Sequence, residues 1–393
     1  MRIRAAFLPT RGSRFGHGLR GLWSLDPAIH FLNHGSYGAA PRHVLAEESR
    51  WRDALEREPV RFMVDELPAA LRAAGARLAG FVGASPSRVA FVDNATAGAN
   101  AVLRSIRWRA GDRIVIANHA YPALKNTARF IADRHRLTVV EARVPWPLPG
   151  PDALVAAYAK ALAGGARLAI IDHIFSPLAV VTPIDAIVPL CRERGASVLV
   201  DGAHAPGLLP LALDALGDTG VDWYVGNCHK WLCAPKGCGF IVATPEGQRD
   251  LHPAVISNFY GEGFEREFAW TGTGNPGARL AVTAALEFIE TLGVERYRTA
   301  LRDQAREASA LIADAWGVEA GAPAQMFAGM VTLPLPSAEP ATPESVAHWR
   351  LKLLREHRIE VPIIAIDGHP WVRISAQVYN ELSDYEALGR ALA

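Results

Sequence analysis

The chain is organised around residues 225–239, which read Val225-Gly226-Asn227-Cys228-His229-Lys230-Trp231-Leu232-Cys233-Ala234-Pro235-Lys236-Gly237-Cys238-Gly239. Apolar runs at residues 221–225 and 240–243 flank this stretch, so two strands are predicted to hold Lys230 in a loop. A lysine packed among apolar and aromatic groups loses solvation of its ammonium form, so its pKa falls and its amine can attack a carbonyl. An exposed hairpin lysine is the simpler interpretation, but tryptophan, leucine and three cysteines beside it prefer the interior.

Length and composition describe a globular protein with no charge signature for a polymer partner. The 393 residues exceed one compact core, so a large and a small domain are expected. Hydrophobic residues make up 50% of the chain, and 41 basic against 40 acidic residues leave a net charge of +1. This balance does not support nucleic acid or an anionic membrane as the main partner. No apolar run reaches the length of a membrane span.

The N-terminus and the cysteines bear on cellular location. Residues 1–20 carry five arginines and no acid, but they lack the serine content of a transit peptide, so we expect a mobile N-terminal arm over residues 1–24. Four cysteines in a chain of this length do not form a disulfide framework, which favours a reducing cytoplasm.

Three of the cysteines, Cys228, Cys233 and Cys238, recur every five residues beside His229. Zinc binding is one interpretation of this cluster. Structural zinc loops space paired cysteines more closely, usually by two to four residues, so buried thiols are favoured and no metal is predicted.

Strand and helix patterns alternate between residues 88 and 243. Strands are predicted at residues 89–92, 113–117, 137–140, 167–171 and 197–200, and helices at 95–106, 123–134, 153–163 and 184–194. Such alternation predicts an α/β fold with a mostly parallel sheet between helices. Ligands bind beyond the carboxyl ends of such strands. That rule selects Asn94, Ala95, Thr96, His119, Ser176, Asp201 and the Lys230 loop.

The rest of the chain is less regular. A helical block at residues 44–83 precedes the sheet, and a breaker-rich loop, Trp270-Thr271-Gly272-Thr273-Gly274-Asn275-Pro276, follows it. A smaller α+β unit is then predicted, with helices at 279–292, 294–315 and 343–357, strands at 330–333 and 373–374, and a final helix. We therefore expect a large domain over residues 25–275 and a small domain over 276–393.

Each candidate site residue has a plain structural alternative. Asp201 ends a buried strand and suits a helix cap as well as a ligand. Thr96 begins a helix, where N-capping is commoner than phosphate binding, and His229 could be an ordinary loop histidine. Arg373 suits a buried ion pair or a carboxylate fork. Together with Lys230, these residues supply what pyridoxal phosphate needs: an amine, an acid for the ring nitrogen, phosphate donors, and an arginine for an amino-acid substrate.

Six motifs resemble those of the class V aminotransferase family of fold type I pyridoxal-phosphate enzymes, in the branch similar to isopenicillin N epimerase. They are Phe31-Leu32-Asn33-His34-Gly35-Ser36-Tyr37-Gly38, Asn94-Ala95-Thr96, Asp201-Gly202-Ala203-His204-Ala205, Gly226-Asn227-Cys228-His229-Lys230-Trp231, Trp270-Thr271-Gly272-Thr273 and Val372-Arg373-Ile374-Ser375. The resemblance runs from about residue 25 to the last helix. Its specific part is the pair of motifs around Asp201 and Lys230, which lie 29 residues apart, each after a predicted strand.

The resemblance implies a set of roles around pyridoxal 5'-phosphate. Lys230 would bond covalently to the cofactor and later move the α-proton, and Asp201 would keep the ring nitrogen protonated. The other implied cofactor residues are Ala95, Thr96, Asn227 and His229 at the phosphate, Thr273 at the phosphate of the neighbouring subunit, Ser176 near the ring hydroxyl, His119 or Tyr121 over the ring, and His204 in place of a glutamine. Arg373 would bind the substrate carboxylate, with Asn33 and Tyr37 in the segment lining the same site. Shared sites of this kind imply a homodimer.

One departure from the family bears on the reaction. Cysteine desulfurases of this superfamily carry a nucleophilic cysteine shortly before the arginine, whereas residues 361–371 contain none. Persulfide-forming desulfuration therefore lacks its acceptor. Epimerisation, C–S lysis and transamination of an amino acid or peptide-like amine remain open, since fold and cofactor do not fix the reaction. A non-catalytic α/β binding protein is the alternative from another function class.

Overall fold

The computed structural model describes residues 12–392, which form a seven-stranded, a three-stranded and a two-stranded sheet. The strands are β1 (His30–Phe31), β2 (Val89–Val92), β3 (Arg113–Ala117), β4 (Thr138–Ala142), β5 (Leu168–Asp172), β6 (Ser197–Gly202), β7 (Trp223–Asn227), β8 (Gly239–Ala243), β9 (Met330–Pro334), β10 (Ile359–Glu360), β11 (Ile363–Ile366) and β12 (His369–Ser375). The large sheet has the order β2-β8-β7-β6-β5-β3-β4, and only β8 runs against the others. The predicted mostly parallel sheet is confirmed, and it has seven strands.

Helices pack on both the large and the small sheet. They are α1 (His34–Tyr37), α2 (Arg42–Arg57), α3 (Pro59–Arg61), α4 (Leu67–Val82), α5 (Ala95–Ser105), α6 (Pro122–His135), α7 (Pro151–Leu162), α8 (Ile184–Glu193), α9 (Leu213–Thr219), α10 (Pro245–Gln248), α11 (Phe264–Ala269), α12 (Gly277–Leu280), α13 (Val282–Leu292), α14 (Val294–Trp316), α15 (Pro343–His357) and α16 (Leu382–Ala391). α5 and α6 pack on each other and on the sheet, as do α7 and α8. Strand β5 is buried at every residue, which is why it appears in the sequence as a continuous apolar run.

The C-terminal unit is the predicted smaller α+β part. Its antiparallel sheet has the order β11-β12-β9, with α14 packed on β9 and α15 on β11. The N-terminal segment joins it, because β1 pairs in parallel with β10 and the Leu32 N–H donates to the Glu360 carbonyl at 3.0 Å. The chain thereby brings residues 30–38 and β12 to the same side of the Lys230 loop.

Several predicted boundaries need correction. The helical block at 44–83 is broken near Glu58 and contains a π-turn at Phe62–Glu66. The single helix predicted at 279–292 begins earlier and divides at Ala281 into α12 and α13. The strand predicted at 167–171 is shifted by one residue and runs from Leu168 to Asp172.

The prediction of a mobile N-terminal arm over residues 1–24 also needs correction for residues that the structure describes. Residues 1–11 lie outside the described part of the chain. Beyond them, His17–Leu22 forms a 3₁₀-helix, Leu19 and Trp23 are buried, and the Gly16 N–H donates to the Val378 carbonyl at 2.8 Å. Burial of an indole and a leucine holds this part against the body of the protein, so the expectation of a mobile arm is wrong for residues 16–23.

Candidate active site

Strands β7 and β8 hold the Lys230 loop as the sequence predicts. They pair antiparallel from Trp223↔Ala243 to Asn227↔Gly239, and the loop between them returns with Lys230 only 8% exposed. The loop is fixed from below by His34, whose Nε2 lies 3.0 Å from the Lys230 carbonyl oxygen and whose Nδ1 lies 2.8 Å from the Tyr379 hydroxyl. Burial lowers the pKa of His34 to about 3, so this histidine is neutral.

Gly38 lets the N-terminal segment approach the same loop. Its φ is +70°, and a Cβ built on it would lie 2.0 Å from the His229 carbonyl oxygen. Only glycine satisfies both the left-handed conformation and this close backbone contact. The lysine is therefore positioned by chain segments almost 200 residues apart in sequence.

A cleft of about 400 Å³ opens above Lys230, where β5, β6 and β7 end and α5 begins. The predicted site residues that line it are Tyr37, Ala95, Thr96, Tyr121, Ser176, Asp201, His204, Asn227, His229 and Lys230. The cleft thus brings together residues from six separate parts of the chain, and four of these parts, those of Thr96, Ser176, Asp201 and Lys230, had been selected by the carboxyl-end rule.

The contacts of His204 define the protonation of the lysine. The Trp231 indole N–H can only donate, and it lies 3.3 Å from His204 Nδ1, so Nδ1 must accept and the imidazole proton must sit on Nε2. His204 Nε2 lies 2.9 Å from Lys230 Nζ. The nitrogen of Lys230 then accepts this hydrogen bond through its lone pair, which only an uncharged amine possesses.

Burial and charge favour the same state. Burial, and then the positive charge of Arg373, lower the pKa of Lys230 to about 7, against the opposing effect of Asp201. Burial, and then the charges of Lys230 and Arg373, hold the pKa of His204 well below its ordinary value. Both side chains are consequently able to be neutral near physiological pH, and Lys230 is a nucleophile there.

We expect covalent attachment of pyridoxal phosphate to the cofactor-free protein to follow this lowered pKa. The observed rate should rise with pH with its midpoint near pH 7, because half of Lys230 is the neutral amine at its pKa, and it should level off at higher pH, where the neutral amine predominates. Stopped-flow absorbance with the free aldehyde measures it. In Trp231→Phe the imidazole proton can move to Nδ1, Nε2 can accept from an ammonium group, and the midpoint should move to higher pH. An unchanged midpoint in that variant would contradict the assigned tautomer.

Asp201 lies on the floor of the cleft, at the end of β6. It is 4% exposed, and its Oδ1 accepts the Ala203 N–H at 2.9 Å. Burial raises the pKa of Asp201, while the Ala203 N–H and the positive charge of Lys230 oppose that change. A cationic ring nitrogen placed beside this carboxylate would stabilise its ionised form further.

The N-terminus of α5 forms one end of the cleft. Asn94 caps the helix by accepting the Ala97 N–H at 2.9 Å, and Asn227 Oδ1 accepts the Ala95 N–H at 2.8 Å. The Thr96 N–H is the remaining first-turn donor, and helix N-termini attract phosphate groups. His229 Nδ1 lies 3.1 Å from the Cys238 carbonyl, and burial lowers the pKa of His229 to about 4, so holding a phosphate with Nε2 would require that nitrogen to gain a proton.

Arg373 is buried behind the cleft wall. Its Nη1 donates to the Ser176 carbonyl at 2.7 Å and to Ser176 Oγ at 3.0 Å, and its Nη2 donates to Ser36 Oγ at 3.1 Å. Both serines line the cleft, whereas the guanidinium lies behind them. Burial lowers the pKa of Arg373 to about 10, which still leaves it cationic at neutral pH. A carboxylate can reach this cation by replacing the two serine hydroxyls.

Three other predicted residues lie away from the cleft lining. Asn33 accepts the Ser36 hydroxyl at 2.5 Å and so acts one contact behind it. His119 also lies outside the lining, with its Nε2 4.0 Å from Asp367. By contrast, Tyr121 lines the cleft and is 42% exposed. Thr273 is exposed in the loop at 270–276, which contains neither helix nor strand, and it lies outside the cleft of its own chain.

The structure adds residues that the sequence analysis did not assign. Asp172 at the end of β5 lines the cleft, as do Ser36 and Lys236. The carboxyl-end rule that selected Asp201 would also have selected Asp172 if β5 had been predicted one residue longer. Ser36 stood inside a quoted motif, but nothing in its spacing showed that it touches Arg373.

The cysteines are buried, and the described residues contain no cluster suited to a metal ion. All four cysteines are free thiols and buried, as predicted for the three in the Lys230 loop. Across residues 12–392, no group of three or more His, Cys, Asp or Glu side chains is arranged to hold a metal ion. Within the same residues, no helix combines the length and apolar character that crossing a membrane demands.

Comparison with known proteins identifies the family. The family model for class-V aminotransferases matches residues 41–388. The chain belongs to this family. Members of it are pyridoxal-phosphate enzymes, so the protein is an enzyme with that cofactor, and the alternative of a non-catalytic binding protein is set aside.

Two curated relatives resemble this class-V chain over nearly its whole length. The putative L-cysteine desulfhydrase 2 of Oryza sativa subsp. japonica is 34% identical, covering 94% of this chain and 85% of its own. The isopenicillin N epimerase of Streptomyces clavuligerus is 32% identical, covering 95% of this chain and 96% of its own. A solved structure of the enzyme C-DES, with glycine covalently linked to its pyridoxal phosphate, shares the fold at a TM-score of 0.80 with 22% identity, covering 95% of this chain and 98% of that one.

The cleft of this class-V enzyme fits the cofactor. Its volume falls within the range of about 300–1,000 Å³ of small-molecule sites. It offers a buried neutral amine, a buried acid pair and a helix N-terminus, and one buried carboxyl oxygen of Asp172 is left without a partner in the described chain. When bound, pyridoxal phosphate supplies an electron sink for negative charge at the substrate Cα.

Proposed function

We propose that this class-V enzyme cleaves the Cα–H bond of an amino acid or peptide-like amine with an α-carboxylate, and that it catalyses epimerisation or C–S lysis. The neutral, buried Lys230 amine beside His204 carries this proposal, because it can both hold the cofactor and move a proton. The two named relatives, a desulfhydrase and an epimerase, support the same pair of reactions.

The remaining residues bind and orient. Asp201 is proposed to pair with the ring nitrogen, and the N-terminus of α5 with the phosphate. Tyr121 is proposed to cover the ring, in preference to His119, because only the tyrosine lines the cleft. Arg373 is proposed to bind the substrate carboxylate together with Ser36 and Ser176, since a planar guanidinium matches that group with two parallel hydrogen bonds.

The two reactions differ in what they require after the α-proton has left. Epimerisation needs a second acid/base on the opposite face of the substrate. The expected sources were Tyr121, His204 and the segment from His34 to Tyr37, but His34 has both ring nitrogens within hydrogen-bond distance of buried partners, so within that segment Tyr37 is the candidate. C–S lysis needs no second base: the C–S bond breaks, sulfur leaves as a thiol or sulfide, and addition of water gives ammonia and a 2-oxo acid.

An amino-acid and thioether screen in deuterated water tests this proposal. Epimerisation gives substrate that is α-deuterated and inverted, whereas C–S lysis gives a 2-oxo acid and a free sulfur species in equal amounts. Rapid, stoichiometric conversion of 2-oxo acids to amino acids would contradict both and favour transamination. Mass spectrometry and NMR locate the solvent deuterium. It should lie at Cα of the inverted substrate after epimerisation, and at the former Cβ of the 2-oxo acid after C–S lysis, because lysis turns Cα into a carbonyl carbon.

We also propose a homodimer with shared active sites. Thr273 lies outside the cleft of its own chain, in an exposed loop. Next to that loop is a largely apolar groove of about 1,030 Å³ that includes Val64, Phe259 and Trp270, and Val64 and Tyr260 expose 66% and 65% of their surface. An apolar surface of this extent beside a cofactor-binding loop suits a two-fold contact with a second copy.

The dimer leads to a testable expectation at Thr273. The purified enzyme should be a dimer by light scattering, and Thr273→Val should weaken cofactor binding about 10- to 100-fold, the value of one hydrogen bond to a charged group. Thr271→Val, in the same loop, is the matched control and should bind the cofactor normally. A fully active monomer would contradict the shared site.

A cytoplasmic location is also proposed, because free buried thiols suit a reducing compartment.

A further inference from the structure

Asp172 and Asp201 form a pair of carboxyl groups at the floor of the cleft. They are register partners on the adjacent parallel strands β5 and β6, and the His173 N–H donates to the Asp201 carbonyl at 2.8 Å. Side chains at partnered positions of neighbouring strands leave the same face of the sheet, with strands about 4.8 Å apart. Both side chains line the cleft, so the two carboxyl groups face the same small volume.

The two acids differ in what surrounds them. Asp201 Oδ1 accepts the Ala203 N–H. Asp172 is 2% exposed, and its Oδ2 has no hydrogen-bond partner among residues 12–392. A buried carboxyl oxygen that accepts no hydrogen bond is costly as an anion, so Oδ2 is the oxygen of Asp172 at which a proton is favoured.

The charged and titratable groups around the pair oppose a second negative charge. Burial, and then the charge of Asp201, hold the pKa of Asp172 well above its ordinary value. From α7, the buried Tyr158 faces Asp172 and donates its hydroxyl to the Ile170 carbonyl, so it offers the carboxyl group no proton. The positive charge of Lys230 acts to lower the pKa of Asp201.

The remaining neighbours of the two carboxyl groups are a cysteine, a tyrosine and backbone N–H groups. Cys191, on α8, faces Tyr158. Among residues 12–392, the groups that favour an ionised Asp172 are the backbone N–H groups of Tyr121 and of Asp172 itself. Tyr224 faces Asp201, and its hydroxyl lies 2.9 Å from His173 Nδ1. Two close buried carboxyl groups with one nearby cation hold one negative charge between them.

We propose that Asp172 is a positioning residue of the cofactor site, which holds a proton that it shares with Asp201 and thereby orients the Asp201 carboxylate towards the cofactor ring nitrogen. This inference rests on the proposed role of Asp201. A neutral Asp172 donates to one oxygen of Asp201 and leaves the other, with the single negative charge, for the ring. The pair so defines both the charge and the direction of the acid beneath the cofactor.

The first test uses the cofactor-free protein and therefore does not depend on the role of Asp201. A carboxyl group whose pKa is raised on folding stabilises the fold below its unfolded pKa, and that stability is lost as pH rises through the folded pKa. Asp172→Asn keeps the shape and a donor but cannot titrate. It should flatten the fall of Tm with rising pH and remove one protonated-carboxyl band from the infrared spectrum. Asp133→Asn, at an exposed carboxylate, is the control and should change neither.

The second test uses the cofactor-loaded enzyme. The pH titration of the bound cofactor's absorption should shift by about 1 pH unit in Asp172→Asn, with less change in cofactor affinity than in Asp201→Asn. An unchanged infrared band and pH slope in cofactor-free Asp172→Asn would overturn the shared proton. Loss of that band without any shift of the cofactor titration would overturn the positioning role. If Asp201→Asn also leaves the titration unchanged, the proposed ring partner is wrong rather than the acid pair.

Discussion

Lys230→Ala should lose covalently bound pyridoxal phosphate and reduce turnover by at least about 10³-fold. The lysine supplies both the amine that attaches the cofactor and the base for the α-proton, and each role alone is worth orders of magnitude in rate. His204, 2.9 Å from the lost amine, cannot replace it, because its accessible nitrogen carries a proton. Absorbance of the dialysed protein and steady-state turnover measure the two losses separately.

Lys236→Ala is the matched control. This lysine also lines the cleft, but it is exposed and stands between Pro235 and Gly237 in the same loop. The variant should retain covalent cofactor, with at most a weaker hold on the phosphate. Full activity in Lys230→Ala, or loss of the attached cofactor in Lys236→Ala with Lys230 intact, would contradict the assignment.

Arg373→Lys should raise KM for the substrate about 10- to 100-fold and leave the cofactor attached. An ammonium group cannot reproduce the two parallel hydrogen bonds of a guanidinium to a carboxylate, and one hydrogen bond to a charged group is worth about 1.5–3 kcal/mol. The effect should be confined to substrates with an α-carboxylate. Kinetics with an amino acid and with its carboxamide give the comparison.

A control for the general cost of removing a partly buried guanidinium is Arg88→Lys. Arg88 forms an ion pair with Asp214 at 2.7 Å, away from the cleft, and this variant should leave KM unchanged. If Arg373→Lys instead strips the cofactor, or lowers stability without a change in KM, then Arg373 is a structural residue that ties β12 to Ser36 and Ser176.

The fold was predictable because its signals are local. Strands of a parallel sheet buried on both faces appear as continuous apolar runs, and strand β5, buried throughout, is an example. The carboxyl-end rule then placed Asp201 and Lys230 in one cleft without any knowledge of contacts. Asp172 was missed because a carboxylate within an apolar run reads as the residue after a strand, although here it is the last residue of one.

The rest depends on contacts between distant residues, which local patterns do not contain. The tautomer of His204 follows from its distances to Trp231 and Lys230, and neither distance can be read from spacing. Arg373 was expected to form a buried ion pair or a carboxylate fork, and spacing did not show that Ser36, in α1, and Ser176 accept hydrogen bonds from it. Likewise, the burial of residues 16–23 depends on packing against the C-terminal unit, more than 350 positions away.

Borohydride reduction of the cofactor-loaded enzyme, followed by peptide mapping, tests the central claim most directly. Reduction converts the link between lysine and cofactor into a stable secondary amine, so the mapped peptide names the residue. We predict one reduced pyridoxyl group per chain, on Lys230, and none in Lys230→Ala. A label on Lys236, or a holoenzyme whose absorption band survives reduction, would contradict the account.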